Sequence, residues 1–273
     1  MIEGTEQMPQ GDMNAPLVTA RSIGKRFGAL TALDGVDMDI NRGEVLALLG
    51  DNGAGKTTFI KILAGAHPPS SGELRIDGAP VRFSSPKDAA AHGIATIYQE
   101  LALSENLTIA DNVFLGQELV RRVLGLPFLR RREMLARVER LLAELDAHIP
   151  DPGARVGSLS GGQRQAVAIA RALNMQARLV IMDEPTAALA VAETRKVLAL
   201  TRRLAARDCA VVLISHNIAD VFEVADRMIV FRRGRKIAER QRDATSPEEI
   251  VALITGAHPD ARAIDEHYNQ MRA

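Results

Sequence analysis

Short apolar runs alternate along this chain with longer stretches that repeat apolar residues at helical spacing. The strand-like runs occupy residues 17–20, 36–40, 45–49, 74–78, 94–98, 179–182, 210–214 and 228–231. The runs at 45–49 and 210–214 are apolar throughout, which is typical of strands buried on both faces. Helices are predicted from Lys56 to about Gly65 and over 191–205. Strands that alternate with helices in this way predict an α/β fold whose sheet has a parallel core.

The middle of the chain has a different pattern. Between residues 101 and 165 apolar side chains such as Met134, Val138, Leu142 and Leu145 fall at helical spacing, with arginine and glutamate between them. We therefore predict a helical subdomain at 101–165, inserted between core segments 17–100 and 166–256 of one domain that spans 17–256. Residues 1–16 are predicted to be a flexible tail, and residues 257–273 a polar C-terminal tail.

Composition narrows the class of protein. Of 273 residues, 47% are hydrophobic and 25% charged, which excludes a disordered or membrane-embedded chain. The 34 basic and 34 acidic residues balance, so no nucleic-acid partner is expected. The first residues lack the basic start and apolar segment of a signal peptide, and the single cysteine, Cys209, lies in an apolar run. We expect a cytoplasmic protein in which Cys209 is a buried thiol.

A glycine-rich segment follows the apolar run at 45–49. It fits the pattern G-x-x-x-x-G-K-[ST] and lies between a predicted strand and a predicted helix, as that motif requires. Backbone N–H groups of such a loop converge on phosphate oxygens, and the helix N-terminus adds positive partial charge. Lys56 is expected to reach the β- and γ-phosphates, and Thr57 to ligate Mg²⁺. The predicted phosphate-binding residues are Gly50, Asp51, Asn52, Gly53, Ala54, Gly55, Lys56, Thr57 and Thr58.

Two adjacent carboxylates follow the apolar run at 179–182. Because successive side chains of a strand point in opposite directions, each carboxylate at its end can have its own role. Asp183 is expected to hold Mg²⁺, and Glu184 to act as general base toward the attacking water. Taken alone, the pair is also compatible with a solvated strand end before Pro185, but the phosphate loop favours the catalytic interpretation.

A third motif distinguishes this chain from other P-loop nucleotidases. Residues 159–163 read Leu-Ser-Gly-Gly-Gln and lead into a helical stretch at 164–173. With this motif the chain resembles the ATP-binding cassette (ABC) ATPases over essentially residues 17–256. The resemblance implies a RecA-like P-loop NTPase core, an N-terminal antiparallel β portion and an inserted α-helical subdomain that carries the signature motif.

The resemblance also assigns roles to individual positions. Ser160, Gly161, Gly162 and Gln163 match the signature that closes over the γ-phosphate of the other subunit. Phe27 matches the aromatic residue on which adenine stacks, Gln99 the glutamine that senses the γ-phosphate and Mg²⁺, and His216 the switch histidine. ATP and Mg²⁺ are the expected cofactors. The expected catalytic residues are Lys56, Gln99, Glu184 and His216, and the expected Mg²⁺ ligands are Thr57, Gln99 and Asp183.

Some of these residues have simpler interpretations when they are considered alone. Phe27 would more often be a core side chain, and His216 a structural residue at a strand end. The arginines at 121, 122, 130, 131 and 132 are compatible with a solvated helix face, and also with contact to lipid headgroups or a partner. One position departs from the family, because Ala190 stands where many ABC ATPases have the aspartate of an Ala-Leu-Asp loop that contacts the partner subunit. This departure puts the communication between the two sites, and the rate of hydrolysis, in question.

The segments at 50–57, 97–101, 106–116, 214–217 and 246–256 resemble the ATPases of bacterial monosaccharide importers of the ribose, xylose and fructose kind. That resemblance implies a homodimer with two ATP sites that docks on integral membrane permease subunits at the cytoplasmic face of the inner membrane. A periplasmic sugar-binding protein would deliver the substrate. Three alternatives remain open: an ABC ATPase of an amino acid or lipid transporter, a soluble ABC ATPase without a transport role, and a protein that uses ATP only to dimerise.

Overall fold

The computed structural model describes residues 15–124, 126–149, 151–187 and 189–270. The strands are β1 (Val18–Phe27), β2 (Leu30–Ile40), β3 (Val45–Gly50), β4 (Ser71–Ile76), β5 (Ala79–Val81), β6 (Ile94–Ile97), β7 (Val120–Val123), β8 (Leu126–Leu129), β9 (Leu179–Asp183), β10 (Ala210–Ile214), β11 (Arg227–Arg232) and β12 (Arg235–Gln241). The helices are α1 (Lys56–Leu63), α2 (Pro86–Ala91), α3 (Ile109–Val113), α4 (Arg131–Glu144), α5 (Gly161–Asn174), α6 (Val191–Ala205), α7 (Ile218–Val224), α8 (Pro247–Thr255) and α9 (Pro259–Gln270). No helix in these ranges is long and apolar enough to cross a bilayer.

The first sheet is antiparallel, with the strand order β2-β1-β4-β5. Strands β1 and β2 form a hairpin that pairs Val18 with Ile40 at one end and Phe27 with Leu30 at the other. Inward side chains of this sheet pack on α1, whose Phe59 and Ile60 also contact the second sheet through one continuous apolar cluster. The predicted N-terminal β portion is therefore present, and it carries Phe27 at its end.

The second sheet has the order β12-β11-β3-β10-β9-β6 and is parallel except for β12, which pairs antiparallel with β11. Every residue of β3 and of β10 is buried, which explains their uninterrupted apolar sequences. The carboxyl ends of neighbouring parallel strands meet at one edge, where α/β sheets commonly bind ligands. This edge collects the residues that follow β3, β6, β9 and β10.

The face of this sheet opposite α1 is covered by α5 and α6, and α3 and α4 extend the same apolar cluster. Cys209 is buried at the edge of that cluster, as predicted, and its burial raises the pKa of the thiol to about 12. A third cluster joins α7 and α8 to β3 and β11.

The helical pattern of 101–165 does not predict the hairpin formed by β7 and β8. Val120 pairs with Leu129 and Val123 with Leu126, between α3 and α4. Pro127 cannot continue a helix, and valine, leucine and phenylalanine fit a strand here, so local sequence favours the hairpin once the helical spacing is interrupted.

Residues 257–273 were predicted as a polar tail, but Pro259–Gln270 form α9. Asp265 accepts hydrogen bonds from Nε and a terminal nitrogen of Arg232 at 2.9 and 2.7 Å, and Ala261 is buried. These partners lie far away in the sequence, so local composition does not reveal them. A flexible tail is predicted at 1–16, and residues 1–14 of it lie outside the described residues.

Candidate active site

The glycine-rich loop connects β3 to α1 at the carboxyl edge of the parallel sheet. Gly50 and Gly55 have φ values of 141° and 108°, which side-chain-bearing residues rarely adopt. A Cβ on Gly50 would collide with the carbonyl oxygen of Phe231, and one on Gly55 would lie 2.8 Å from Leu33 Cδ2. The glycines therefore allow the loop to lie directly against its neighbours.

Lys56 is the first residue of α1 and is only 6% exposed. Its Nζ donates hydrogen bonds to the carbonyl oxygens of Gly50 at 2.6 Å and Asp51 at 3.0 Å. Burial lowers the pKa of Lys56, and the negative charges of Glu184, Asp51 and Asp183 oppose that shift. The loop thus holds a buried ammonium group among carboxylates.

Asp183 ends β9, and the backbone of Glu184 turns sharply after it with a left-handed φ of 52°. Asp183 lies opposite Ile214 in the parallel pairing of β9 with β10. The backbone N–H of Glu184 donates to the carbonyl oxygen of Ile214 at 2.9 Å. This turn brings the Glu184 carboxylate to His216, two residues beyond the end of β10.

The Glu184 carboxylate and His216 are in direct contact. The backbone N–H of His216 donates to Glu184 Oε2 at 3.3 Å, and Nε2 of the imidazole lies 3.3 Å from Oε1. Oε1 is buried and has no hydrogen-bond partner among the described residues. Burial raises the pKa values of Glu184 and Asp183, and the neighbouring side chains of Lys56 and His216 oppose both shifts. A poorly solvated carboxylate oxygen beside a phosphate loop is suited to accept a proton from water.

Thr57, Thr58 and Gln99, which are also predicted to contact the phosphates or Mg²⁺, lie at the same edge of the sheet. Thr57 is exposed and Thr58 half-buried in the first turn of α1. Gln99 is exposed two residues after β6, and β6 pairs with β9 so that Ile97 lies opposite Met182. The site residues predicted after β3, β6 and β9 are thus brought to one edge by the order of the strands in the sheet.

Phe27 is 44% exposed, so it is not a core side chain. The Phe27 and His67 rings pack edge to face, with 5.5 Å between their centroids and 76° between their planes. Lys25 Nζ lies 5.1 Å from the centroid of the Phe27 ring. The ring is held in place while part of its surface remains available for stacking.

The signature residues begin α5 and pack against Leu189, Glu193 and His148. Ser160 is the exposed N-cap of α5, and it forms a reciprocal capping box with Gln163, which also donates to the His148 carbonyl oxygen at 3.3 Å. A Cβ on Gly161 would lie 2.6 Å from Leu189 Cδ2, and one on Gly162 would lie 3.2 Å from Glu193 Cβ. The glycines therefore pack the signature tightly against the segment that follows the carboxylate pair.

Sequence reasoning missed Asp220, which is only 8% exposed. Its two carboxylate oxygens accept hydrogen bonds from Thr186 Oγ1 at 2.8 Å and Asn217 Nδ2 at 3.0 Å. Asn217 also caps α7 with its side-chain oxygen. Asp220 thus ties the segment after Glu184 to the segment after His216. The signal available in the sequence was an N-cap asparagine followed three residues later by an aspartate.

Asp220→Ala is expected to lower the free energy of unfolding by about 2 kcal/mol, because it leaves Thr186 and Asn217 without their buried acceptor. Urea denaturation measures this change. Glu223→Ala, at an exposed position of the same helix, is the matched control and should have little effect. Equal stability of the two variants would show that the Asp220 contacts contribute nothing.

Ala190 is the N-cap of α6 but offers no side-chain acceptor to the first turn. Its backbone is already extended, with φ −68° and ψ 152°, so an aspartate would fit without strain. Ala190→Asp is expected to raise the free energy of unfolding by about 1 kcal/mol, measured in urea. Ala190→Ser tests capping without the charge and should give part of the gain. A loss of stability in both variants would contradict the N-cap assignment.

A phosphate loop and a carboxylate pair at the carboxyl edge of a parallel sheet define a P-loop nucleoside triphosphatase. Residues 33–187 match the family model described as ABC transporter. A xylose/arabinose import ATP-binding protein of Sulfolobus acidocaldarius is 49% identical, over 88% of this chain and 94% of that protein. A fructose import ATP-binding protein of Rhizobium meliloti is 47% identical, over 90% of this chain and 96% of that protein. The chain belongs to the ABC transporter ATPase family.

Other relatives are longer than this chain. A ribose import ATP-binding protein of Yersinia pestis is 41% identical over 94% of this chain, but the match covers only 49% of that protein. Solved structures agree on the fold. An ATP-binding cassette of an ABC transporter in its ADP conformation superposes with a TM-score of 0.74 at 25% identity, over 92% of this chain and 98% of that chain. A dimeric cassette bound to ADP and phosphate gives 0.67 at 25% identity, over 82% and 98%. The protein is thus an ATPase of a family that binds ATP and ADP.

Proposed function

We propose that this chain is the ATP-hydrolysing subunit of an importer for a monosaccharide. Relatives between 41% and 49% identical are import ATP-binding proteins for xylose/arabinose, fructose and ribose, and two of them match over nearly their whole length. The catalytic part of the proposal rests on the Glu184 carboxylate. Its Oε1 is buried, has no hydrogen-bond partner among the residues that the structure describes, and lies 3.3 Å from His216 Nε2.

In this proposal, Glu184 accepts a proton from the water that attacks the γ-phosphorus. The bond from phosphorus to the bridging oxygen breaks, and ADP and phosphate leave. Lys56 and the N–H groups of the loop neutralise the charge that develops on the phosphate oxygens. His216 orients Glu184 through its backbone N–H and contacts the γ-phosphate through its imidazole.

The residues present fit Mg²⁺. A threonine hydroxyl at Thr57 and a carboxylate at Asp183 are hard oxygen ligands, and no larger cluster of metal-binding side chains occurs in the described ranges. Such a donor set is typical of a cation that is held partly by substrate phosphates. Thr57, Asp183 and Gln99 would hold the ion in this proposal, and it would neutralise negative charge on the phosphate oxygens.

Ser160 and Gly162 would meet the γ-phosphate bound by a second copy of the chain. Ser160 is exposed, and the glycines that follow it pack against Leu189 and Glu193. Two chains then close head to tail around two ATP molecules. Gln99 would transmit the presence of the γ-phosphate to the helical subdomain. The dimer would dock on integral membrane permease subunits at the cytoplasmic face of the membrane, and a periplasmic sugar-binding protein would deliver the monosaccharide.

Affinity purification of the tagged chain from detergent-solubilised native membranes tests the transport assignment. Recovery of a multi-span permease together with a sugar-binding protein supports it, and uptake of labelled pentoses and hexoses should then be lost in a strain that carries Lys56→Ala. Recovery of only soluble partners, or of a permease whose binding protein takes amino acids, would overturn the sugar-import proposal while the ATPase assignment stands.

A further inference from the structure

The hairpin of β7 and β8 exposes apolar side chains that the rest of the fold does not cover. Every described residue of the two strands is exposed. Leu124 is 99% exposed, Leu126 62% and Phe128 52%. Apolar side chains grouped in this way are typical of interaction surfaces. We call residues 120–124 and 126–132 the basic hairpin, because five arginines add positive charge to these apolar groups.

Folding alone does not account for the tip of the basic hairpin. Leu124 has a left-handed φ of 51°, a conformation that favours glycine or asparagine and is strained for a bulky apolar residue. An asparagine at this position would lessen the strain and remove apolar surface from water. Leucine at the tip therefore suggests a role outside the fold.

The register of the hairpin places three apolar side chains on one face, while Val120, Pro127 and Leu129 lie on the other. Val123 pairs with Leu126, and Arg121 pairs with Phe128, so these four residues lie on one face. Arg121 is thus next to the apolar group, where its long side chain can extend its charge past the apolar atoms.

The basic hairpin concentrates charge in a chain that has none overall. Five arginines and no acidic residue lie between Leu119 and Arg132. Arg130 pairs with Glu133 at 2.5 Å, but within the described ranges Arg121, Arg122, Arg131 and Arg132 form no ion pair. Three of the arginines are at the N-terminus of α4, where the helix dipole disfavours positive charge. An external anionic surface would offset the unfavourable interaction of these arginines with the helix dipole.

We propose that the basic hairpin attaches this protein to the surface of an anionic lipid bilayer. Exposed apolar side chains beside four arginines that form no ion pair among the described residues fit the boundary between headgroups and acyl chains, where apolar groups enter and cationic groups pair with lipid phosphates. A fluid bilayer can accommodate such a protruding tip, since it requires no complementary groove. The proposal does not rest on sugar import, because the hairpin would act on lipid directly and without a permease.

Flotation of the purified full chain with vesicles tests the proposal. The chain is expected to float with vesicles of phosphatidylglycerol and phosphatidylcholine in equal parts, and to remain unbound with phosphatidylcholine alone. High salt should release it. The double substitution Arg121→Gln with Arg122→Gln should lower the partition about 30-fold, and Leu124→Ser with Phe128→Ser should lower it about 10-fold or more.

Matched controls are available elsewhere on the surface. Arg195→Gln with Lys196→Gln removes two adjacent exposed basic residues of α6, and Val251→Ser removes an exposed apolar side chain of α8. Both controls should float like the unmodified chain. Equal flotation with the two kinds of vesicle, no flotation at all, or equal loss in the hairpin variants and the controls would each overturn the proposal. Hairpin-dependent binding to a solubilised permease without flotation would overturn it in favour of a protein contact.

Discussion

Glu184→Gln is expected to lower kcat for ATP hydrolysis by about 10²–10⁴-fold, because it removes the general base. Glutamine has nearly the same size and can still accept the hydrogen bond from the backbone N–H of His216 through an amide oxygen. ATP binding should therefore survive. In the proposed head-to-tail dimer, ATP that is bound but not cleaved should keep the two chains together. Phosphate release measures turnover, and light scattering with and without ATP measures dimer formation.

Two further variants make this result specific. Glu223→Gln changes an exposed glutamate of α7 and should turn over ATP normally. A double-mutant cycle with His216→Ala tests whether the histidine acts through Glu184, in which case the double variant is no slower than Glu184→Gln alone. Hydrolysis at the unmodified rate by Glu184→Gln would show that another group activates the water.

The sequence predicted the parts of the site that depend on local pattern. The phosphate loop, Asp183 and Glu184, and His216 each follow an apolar strand, and the parallel order of β3, β10 and β9 brings those strand ends to one edge. The limits predicted for α6 and β10 agree with the structure because an amphipathic helix and an apolar strand have distinct periods.

Other features depend on partners that are distant in the sequence. The left-handed backbone of Glu184 is held by its bond to Ile214 on another strand. Asp220 lies on an ordinary helix, and its structural role depends on the hydrogen bond that Thr186 donates from 34 positions away. Helix α9 likewise depends on Asp265 meeting Arg232. No local period encodes these pairs, so the sequence could not predict them.

Ser160→Arg is expected to abolish ATP-driven dimerisation and to lower kcat by about 10²-fold or more, with ATP still bound by each chain. The serine is exposed at the N-terminus of α5, in the position that would face the partner's γ-phosphate. In a dimer of two such chains, each arginine would take the space of the γ-phosphate in the partner's ATP site, so neither site could close around ATP. It also removes a helix cap worth about 1 kcal/mol, so Ser160→Ala is needed to measure that loss alone. Ser158→Arg introduces the same side chain at another exposed position and should still dimerise.

Mixing two inactive variants distinguishes a contact between chains from a contact within one chain. In a head-to-tail dimer, each ATP site uses Lys56 of one chain and Ser160 of the other. A dimer of Lys56→Ala with Ser160→Arg therefore has one site that lacks both residues and one site that keeps both. The mixture should recover hydrolysis that neither variant shows alone, since Lys56→Ala contributes the intact signature and Ser160→Arg contributes the intact loop. If Ser160 served the ATP bound by its own chain, every site in the mixture would be defective and no activity would return.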